Sequence, residues 1–365
     1  MRILYAIQGT GNGHITRSVS IINELQKKAE VDILVSGIHN EIKLPLPVAY
    51  QFQGLGFVFG KQGGIDYLKT YKRNNIKTLL KEIKSLPVER YNFVISDFEP
   101  VSVWAASKAR IPTIGISNQA SFMHPHIKKP WPITISGLFL ENYVQCDYNI
   151  GLHYESIDQY IETPVIRDEI RHGMVSDSGH GLVYLPSYSD EMIFNTLKKV
   201  SHLKWMVFSK HTNGAYQKEN ISFEPINGAL FTEKLLSCHL LISAAGFGST
   251  SEALFLGKKL IVVPMKNQYE QKFNAYTLEK LGVSTLKSLK SCDASTLIEE
   301  VIQKNNSLKI NYPDNAGTIA DKAIALYNGP ILQGILSNSD KRDKPLEYYL
   351  NPPKITRDQS GTLSF

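Results

Sequence analysis

Two glycine-rich segments of the chain stand where an α/β protein does its chemistry. The first, Gly9-Thr10-Gly11-Asn12-Gly13-His14, follows the apolar run Arg2 to Ile7 and precedes a helical pattern at Ile15, Val19, Ile22 and Leu25. Glycines between a strand and a helix let the backbone approach a ligand, and the first helical amides direct partial positive charge at an anion. On sequence alone a plain tight turn accounts for the cluster as well as a ligand loop does. The Lys-Ser/Thr pair of an ATPase phosphate loop is missing, which argues against mononucleotide hydrolysis. A nicotinamide cofactor also fits poorly, because Asp32 begins the second strand, whereas the ribose-holding acid would have to end it.

His14 is more informative, since a histidine just after such a turn sits at the carboxyl end of the strands, where ligands bind in these folds. Asp97 ends the apolar run Asn92 to Ser96 and is expected to face the same crevice. A carboxylate behind an imidazole fixes its tautomer and raises its basicity, which is how a hydroxyl is deprotonated near neutral pH. The plainer alternatives are a backbone bond for His14 and, for Asp97, a cap on the helix that begins near Pro100. Glu99 is expected to turn outward at that helix start.

The second segment runs Ser243-Ala244-Ala245-Gly246-Phe247-Gly248-Ser249-Thr250-Ser251-Glu252-Ala253, followed by Gly257, Pro264 and Glu270-Gln271-x-x-Asn274. Gly246 and Gly248 permit a tight turn, and Ser249 and Thr250 suit an N-cap and first turn whose hydroxyls and amides can hold a diphosphate. Glu252 is expected in the first turn, where it can accept from the two hydroxyls of a ribose or simply complement the helix dipole. Glu270 and Gln271 open a further helix and could reach sugar hydroxyls or merely cap it.

These segments need a frame of alternating strands and helices. Strands are expected at Arg2 to Ile7, Val31 to Val35, Asn92 to Ser96, Pro112 to Ile116, Gly181 to Leu185, Trp205 to Phe208, Leu240 to Ser243 and Leu260 to Val263. Helical patterns lie between them, at Val101 to Lys108, Asp190 to Val200, Glu233 to Ser237, Ser249 to Leu256 and Tyr269 to Leu281, and a last one spans Ala316 to Tyr327. Such alternation implies parallel sheets covered on both faces. The stretch from Thr163-Pro164 through Arg167 to Gly173 has no clear period and reads as a linker. This divides the chain into units 1–165 and 166–330 and a polar extension 331–365.

The 365 residues, 42% hydrophobic and 20% charged, exclude a mostly disordered, collagen-like or coiled-coil chain. A formal charge of +6 is mild over this length and does not imply nucleic-acid binding. The charge is uneven, however. Lys61 to Lys84 holds seven Lys or Arg against Asp66 and Glu82, with Leu68, Ile76, Leu80 and Ile83 at roughly helical spacing. A solvated amphipathic helix is the plain reading, and a surface for an anionic membrane is the sharper one. Three scattered cysteines, no signal-peptide core and no run long enough to span a membrane give a cytoplasmic expectation, at most peripheral to a membrane.

The second segment resembles the donor-binding signature of GT-B glycosyltransferases, the group that includes UDP-sugar transferases and the lipid-linked muropeptide N-acetylglucosaminyltransferase. Gly11-x-Gly13-His14-Ile15-Thr16-Arg17 and Ser96-Asp97-Phe98-Glu99-Pro100 are similar to an uncharacterised bacterial and archaeal branch of the superfamily. The resemblance implies an α/β protein of two facing Rossmann-like domains with parallel sheets, the first for the acceptor and the second for a nucleotide sugar, UDP-linked. It further implies that Gly11 and Gly13 line the ligand loop, that Gly246, Gly248, Ser249 and Thr250 surround the diphosphate, and that Glu252 holds the ribose. Glu270, Gln271 and Asn274 would meet the donor sugar, with His14 and Asp97 acting on the acceptor hydroxyl. Ala244 departs from the plant pattern, which has a phosphate-contacting histidine there. No Asp-x-Asp motif is present, and the implied enzyme needs no metal or resident cofactor. A non-hydrolysing nucleotide-sugar 2-epimerase and a non-catalytic sugar-nucleotide-binding protein are the competing expectations.

Overall fold

The computed structural model describes residues 1–9, 12–37, 44–56, 75–122, 124, 126–127, 143–329, 356–357 and 363–364. Gly11, the basic segment up to residue 74 and most of the extension lie outside them. The first half contains β1 (Arg2–Gln8), α1 (Asn12–Gln26), β2 (Glu30–Ser36), β3 (Tyr50–Phe52), α2 (Ile76–Ser85), β4 (Phe93–Asp97), α3 (Pro100–Ala109), β5 (Thr113–Ser117), α4 (Asn118–Ser121), β6 (Tyr148–Leu152) and β7 (Ile161–Glu162). A short helix α5 (Asp168–Arg171) lies in the stretch read as a linker. The second half follows with β8 (His180–Tyr184), α6 (Asp190–Leu197), β9 (Lys204–Ser209), β10 (Tyr216–Lys218), β11 (Ile221–Pro225), α7 (Gly228–Ser237), β12 (Leu240–Ser243), α8 (Phe247–Leu256), β13 (Lys259–Val262), α9 (Tyr269–Lys280), β14 (Ser284–Thr285), α10 (Ala294–Gln303) and α11 (Ala316–Asn328). Thr356–Arg357 (β15) and Leu363–Ser364 (β16) pair antiparallel in the extension.

The first sheet has the order β3-β2-β1-β4-β5-β6-β7 and is parallel throughout. The second has the order β10-β11-β9-β8-β12-β13-β14, with only the β10–β11 pair antiparallel. The central strands are near-continuous apolar runs because helices bury both of their faces. In each sheet the order reverses beside a strand that feeds a glycine turn, at β1/β4 and at β8/β12. Such a switch point leaves a crevice at the carboxyl ends of the strands. Ile7 pairs with Asp97 at that edge of the first sheet, so the two chemical segments of the first half arise side by side.

The two halves share one apolar core. Ile15 and Ile22 of α1 belong to the same cluster as Phe247 and Ala253 of α8 and Ile319, Ala320 and Ala323 of α11. The helix expected to close the second unit, α11, packs on the first: Tyr327 stacks on Phe93 with centroids 4.8 Å apart, and Asp321 and Lys322 pair with Lys28 and Glu162. On α2, Leu79 turns inward and Ile83 packs on the core of the first half while Ile76 and Leu80 stay exposed, so the apolar spacing read from the sequence marks the buried face only in part. Asn75 caps this helix by accepting from the amides of Lys77 and Thr78.

Gly151 of β6 allows α4 to lie directly on the sheet. A Cβ there would sit 2.7 Å from the Ser121 backbone and 2.5 Å from Ile161 Cδ1. Gly151→Ala is therefore expected to lower stability by about 1–3 kcal/mol, the usual scale of overpacking, in urea unfolding.

Candidate active site

The site begins at the end of β4. Asp97 is fully buried, and its carboxylate is held by three side chains of α1. His14 Nδ1 lies 2.8 Å from Oδ1, Arg17 Nε donates to Oδ2 at 2.8 Å while its Nη2 donates to Oδ1, and Ser18 Oγ donates to Oδ2 at 3.2 Å. His14, Arg17 and Ser18 are one helical turn apart, so a single helix face addresses the strand end. Burial alone would raise the Asp97 carboxyl, but Arg17 and His14 outweigh it and hold the group below the ordinary carboxylate range. The carboxylate draws the imidazole proton to Nδ1 and leaves Nε2 as the acceptor. Arg17 Nη2, 2.8 Å from the same Nδ1, places a fixed positive charge beside the ring.

The backbone bends sharply just beyond Asp97. Phe98 adopts φ 58°, a left-handed conformation that a bulky residue enters only at a cost. This turn lays the Phe98 ring parallel to His14, centroids 6.4 Å apart, and sends Glu99 back under the sheet. Glu99, expected to face outward, is fully buried. It is Glu99, and not Asp97, that caps α3: its carboxylate accepts from the amides of Val101 at 2.8 Å and Ser102 at 2.7 Å and from Ser36 Oγ at 2.6 Å. Burial raises the Glu99 carboxyl, with these donors opposing. Asp97 is thereby left to His14 and Arg17.

The second half brings α8 against this arrangement. A Cβ on Gly248 would lie 3.7 Å from Gly13 Cα, so the two glycine turns face each other. The helix begins at Gly246 and Phe247 and not at Ser249, and no side chain caps it. Glu252 therefore lies in the second turn, not the first. It is buried, and both of its oxygens accept from Arg167, at 2.6 Å from Nε and 2.9 Å from Nη2. Thr250 is also fully buried, its hydroxyl bonded to Gly246 O and to Tyr154 OH across the two halves. Ser249 stays partly exposed beside Ser243, at 3.2 Å.

The residues of α9 divide into positioning and cleft groups. Asn274 Nδ2 donates to Ala245 O at 3.1 Å and pins the glycine turn, while Gln271 Oε1 accepts from the Met265 amide at 3.0 Å. Glu270 reaches the first half, where Gln119 Nε2 donates to it at 2.9 Å. Burial raises its carboxyl, opposed by the charges of His14 and Arg17, which places Glu270 in the electrostatic neighbourhood of the imidazole. Arg17, Gln119, Arg167 and Tyr154 were not assigned roles from the sequence. Only Arg17 carried a signal, its spacing of three from His14.

The sequence pattern of glycosyl transferase family 1 matches residues 1–304, a span that contains every residue of this arrangement. The chain belongs to that family. It is a glycosyltransferase with the GT-B fold. A UDP-N-acetylglucosamine--N-acetylmuramyl-(pentapeptide) pyrophosphoryl-undecaprenol N-acetylglucosamine transferase of Thermosipho melanesiensis is 22% identical to this family member over 337 residues, 87% of this chain and 96% of its own. The fold matches that of MurG from Acinetobacter baumannii with a TM-score of 0.53 at 13% identity, over 88% of this chain and 98% of the other. A Streptomyces sp. SF2575 glycosyltransferase solved with thymidine diphosphate matches with a TM-score of 0.54 at 13% identity, over 90% and 100%.

Two outcomes follow from the buried charges. Glu252→Ala leaves Arg167 without its carboxylate, and its cost in urea unfolding is expected to reach about 3–5 kcal/mol, with a smaller cost for the double variant Glu252→Ala, Arg167→Met. Asp97 contributes stability that is fully present above about pH 4 and is lost as pH falls through its depressed folded value. Unfolding curves between about pH 7 and pH 3 should accordingly show a shallower acid dependence in Asp97→Asn.

Proposed function

We propose that the protein moves a sugar from a UDP-sugar to a hydroxyl of a lipid-linked or cell-envelope acceptor, with no catalytic metal. The observation that carries this reading is the approach of Gly13 and Gly248, which turns the uncapped start of α8 and the first turn of α1, with His14, toward one space. A diphosphate placed there meets the amides of residues 247–249, the Ser249 hydroxyl and the positive ends of two helices. That field stabilises charge on the leaving diphosphate in the way a divalent cation would. Glu252 keeps unused lone pairs beyond its two bonds to Arg167, enough to accept from ribose hydroxyls. Glu270, and Gln271 beside it, would address the donor sugar. The Thermosipho relative, a UDP-N-acetylglucosamine-dependent transferase by name, and the glycosyltransferase solved with thymidine diphosphate support a nucleoside diphosphate donor.

In the transfer, the acceptor oxygen attacks the anomeric carbon, its proton passes to His14 Nε2, and the bond from that carbon to the diphosphate oxygen breaks. Asp97 stabilises the imidazolium as it forms, and Arg17 keeps the carboxylate in place. The acceptor side would be the crevice at β1 and β4. Among the described residues no helix is long and apolar enough to cross a membrane. Contact with an anionic membrane would instead run through α2, where Ile76 and Leu80 are exposed beside Lys77, Lys81 and Lys84.

His14→Ala should lower turnover by about 10²–10⁴-fold while UDP affinity in calorimetry stays near wild type, and transfer should continue in excess chelator. Full turnover in that variant would place the base elsewhere. Glu252→Gln should weaken UDP at least roughly tenfold, and an unchanged Kd would remove Glu252 from the donor site. Formation of an epimerised sugar nucleotide without a glycosylated acceptor would favour the epimerase reading. Sedimentation with anionic vesicles should be salt-sensitive and should fall when Ile76 and Leu80 are changed to serine; no binding at low salt would leave α2 as a solvated helix.

A further inference from the structure

The turn that follows α4 carries His124 and His126, and the connection between β6 and β7 carries Asp158. One donor atom from each of the three lies within 4.8 Å of the others. His124 Nε2 and His126 Nδ1 each stand 3.1 Å from the same oxygen, Asp158 Oδ2. Ligands held about 2.0–2.1 Å from a tetrahedral zinc ion are about 3.3 Å apart, so two edges of the tetrahedron are already close to their final length. We propose that His124, His126 and Asp158 bind one zinc ion, leaving the fourth position for water.

The three groups are set in place by contacts that do not involve each other. The His124 amide donates to Ser121 O at 3.0 Å, and the Ile127 amide donates to His124 O at 3.1 Å. Phe122 and Ile127, on either side of the histidines, are buried with Ile161 and Phe273 in a small apolar cluster. Asp158 Oδ1 accepts from the Tyr160 amide at 2.9 Å, which leaves Oδ2 for the imidazoles. Binding through Nε2 requires the His124 proton on Nδ1, which gives up the 3.4 Å approach of the His126 amide, already longer than an ordinary hydrogen bond.

The ion would clamp the turn after α4 to the β6–β7 connection. That fixes α4, whose Gln119 holds Glu270 across the two halves. No group assigned to the diphosphate or to proton transfer is among the ligands, so this site stands apart from the proposed donor and base.

The test uses the full chain, stripped with chelator, dialysed, and titrated with Zn²⁺ in calorimetry and with Co²⁺ in visible absorption. One ion per chain, the intense d–d bands of tetrahedral cobalt and a rise in Tm are expected. His126→Ala and Asp158→Asn should each weaken zinc at least roughly tenfold, the scale that even the loss of a ligand's orienting partner costs. His202→Ala, paired elsewhere with Glu299, should leave binding unchanged. His126 is exposed, and a wild-type apo unfolding midpoint in His126→Ala shows that the variant is folded. No stoichiometric zinc, or undiminished binding in both ligand variants, overturns the proposal.

Discussion

A fully buried carboxylate at the end of β4 sets the terms for the rest of the molecule. Asp97 cannot remain ionised in that position without partners, and the partners come from one face of α1: an imidazole, a guanidinium and a hydroxyl. Their demand fixes the rotation of α1 over the first sheet and therefore the direction of His14 at the β1/β4 crevice. It also fixes the opposite face of α1, whose Ile15 and Ile22 enter the core shared with α8 and α11. One electrostatic requirement thus couples the chemistry of the first half to the docking of the second.

The strained turn at Phe98 belongs to the same requirement. Without a left-handed residue there, the chain would carry Asp97 straight into the start of α3, where a carboxylate commonly ends up as a cap. The turn separates the two acidic residues by function: Glu99 satisfies the helix and Ser36, and Asp97 is free to hold His14 and Arg17. Strain at this residue is the local cost of having a capped helix and a buried carboxylate that holds His14 and Arg17 within three residues of sequence.

How much of this could be read in the sequence follows from how far each determinant reaches along the chain. The central strands and most helices were legible because apolar alternation and glycine punctuation are local. His14 and Asp97 were legible as partners because one follows the glycine turn after β1 and the other ends β4, so both belong to the carboxyl ends of strands in a parallel sheet. Short strands such as Tyr50–Phe52 and Ile161–Glu162 were not, since two or three residues carry no periodicity. The fate of Glu99 hinged on a backbone angle of its neighbour, which residue types do not announce. Arg167 was invisible as the partner of Glu252 because 85 residues separate them and only the packed fold brings them together. Thr250 looked like a ligand hydroxyl for the same reason, and Tyr154 of the first half already holds it.

The last helix bears on how such a chain is made. The first sheet is complete in sequence by β7, yet α11, which covers it with Tyr327 on Phe93, is synthesised only after the whole second sheet. During translation the amino-terminal half emerges with an apolar flank that none of its described residues covers in the folded chain, and α11 reaches that flank only once the carboxyl-terminal half has left the ribosome. Completion of the two halves is for this reason a single late event. A nascent chain arrested before residue 316 would display the uncovered flank as a chaperone-binding surface, although every strand of both sheets has already been translated.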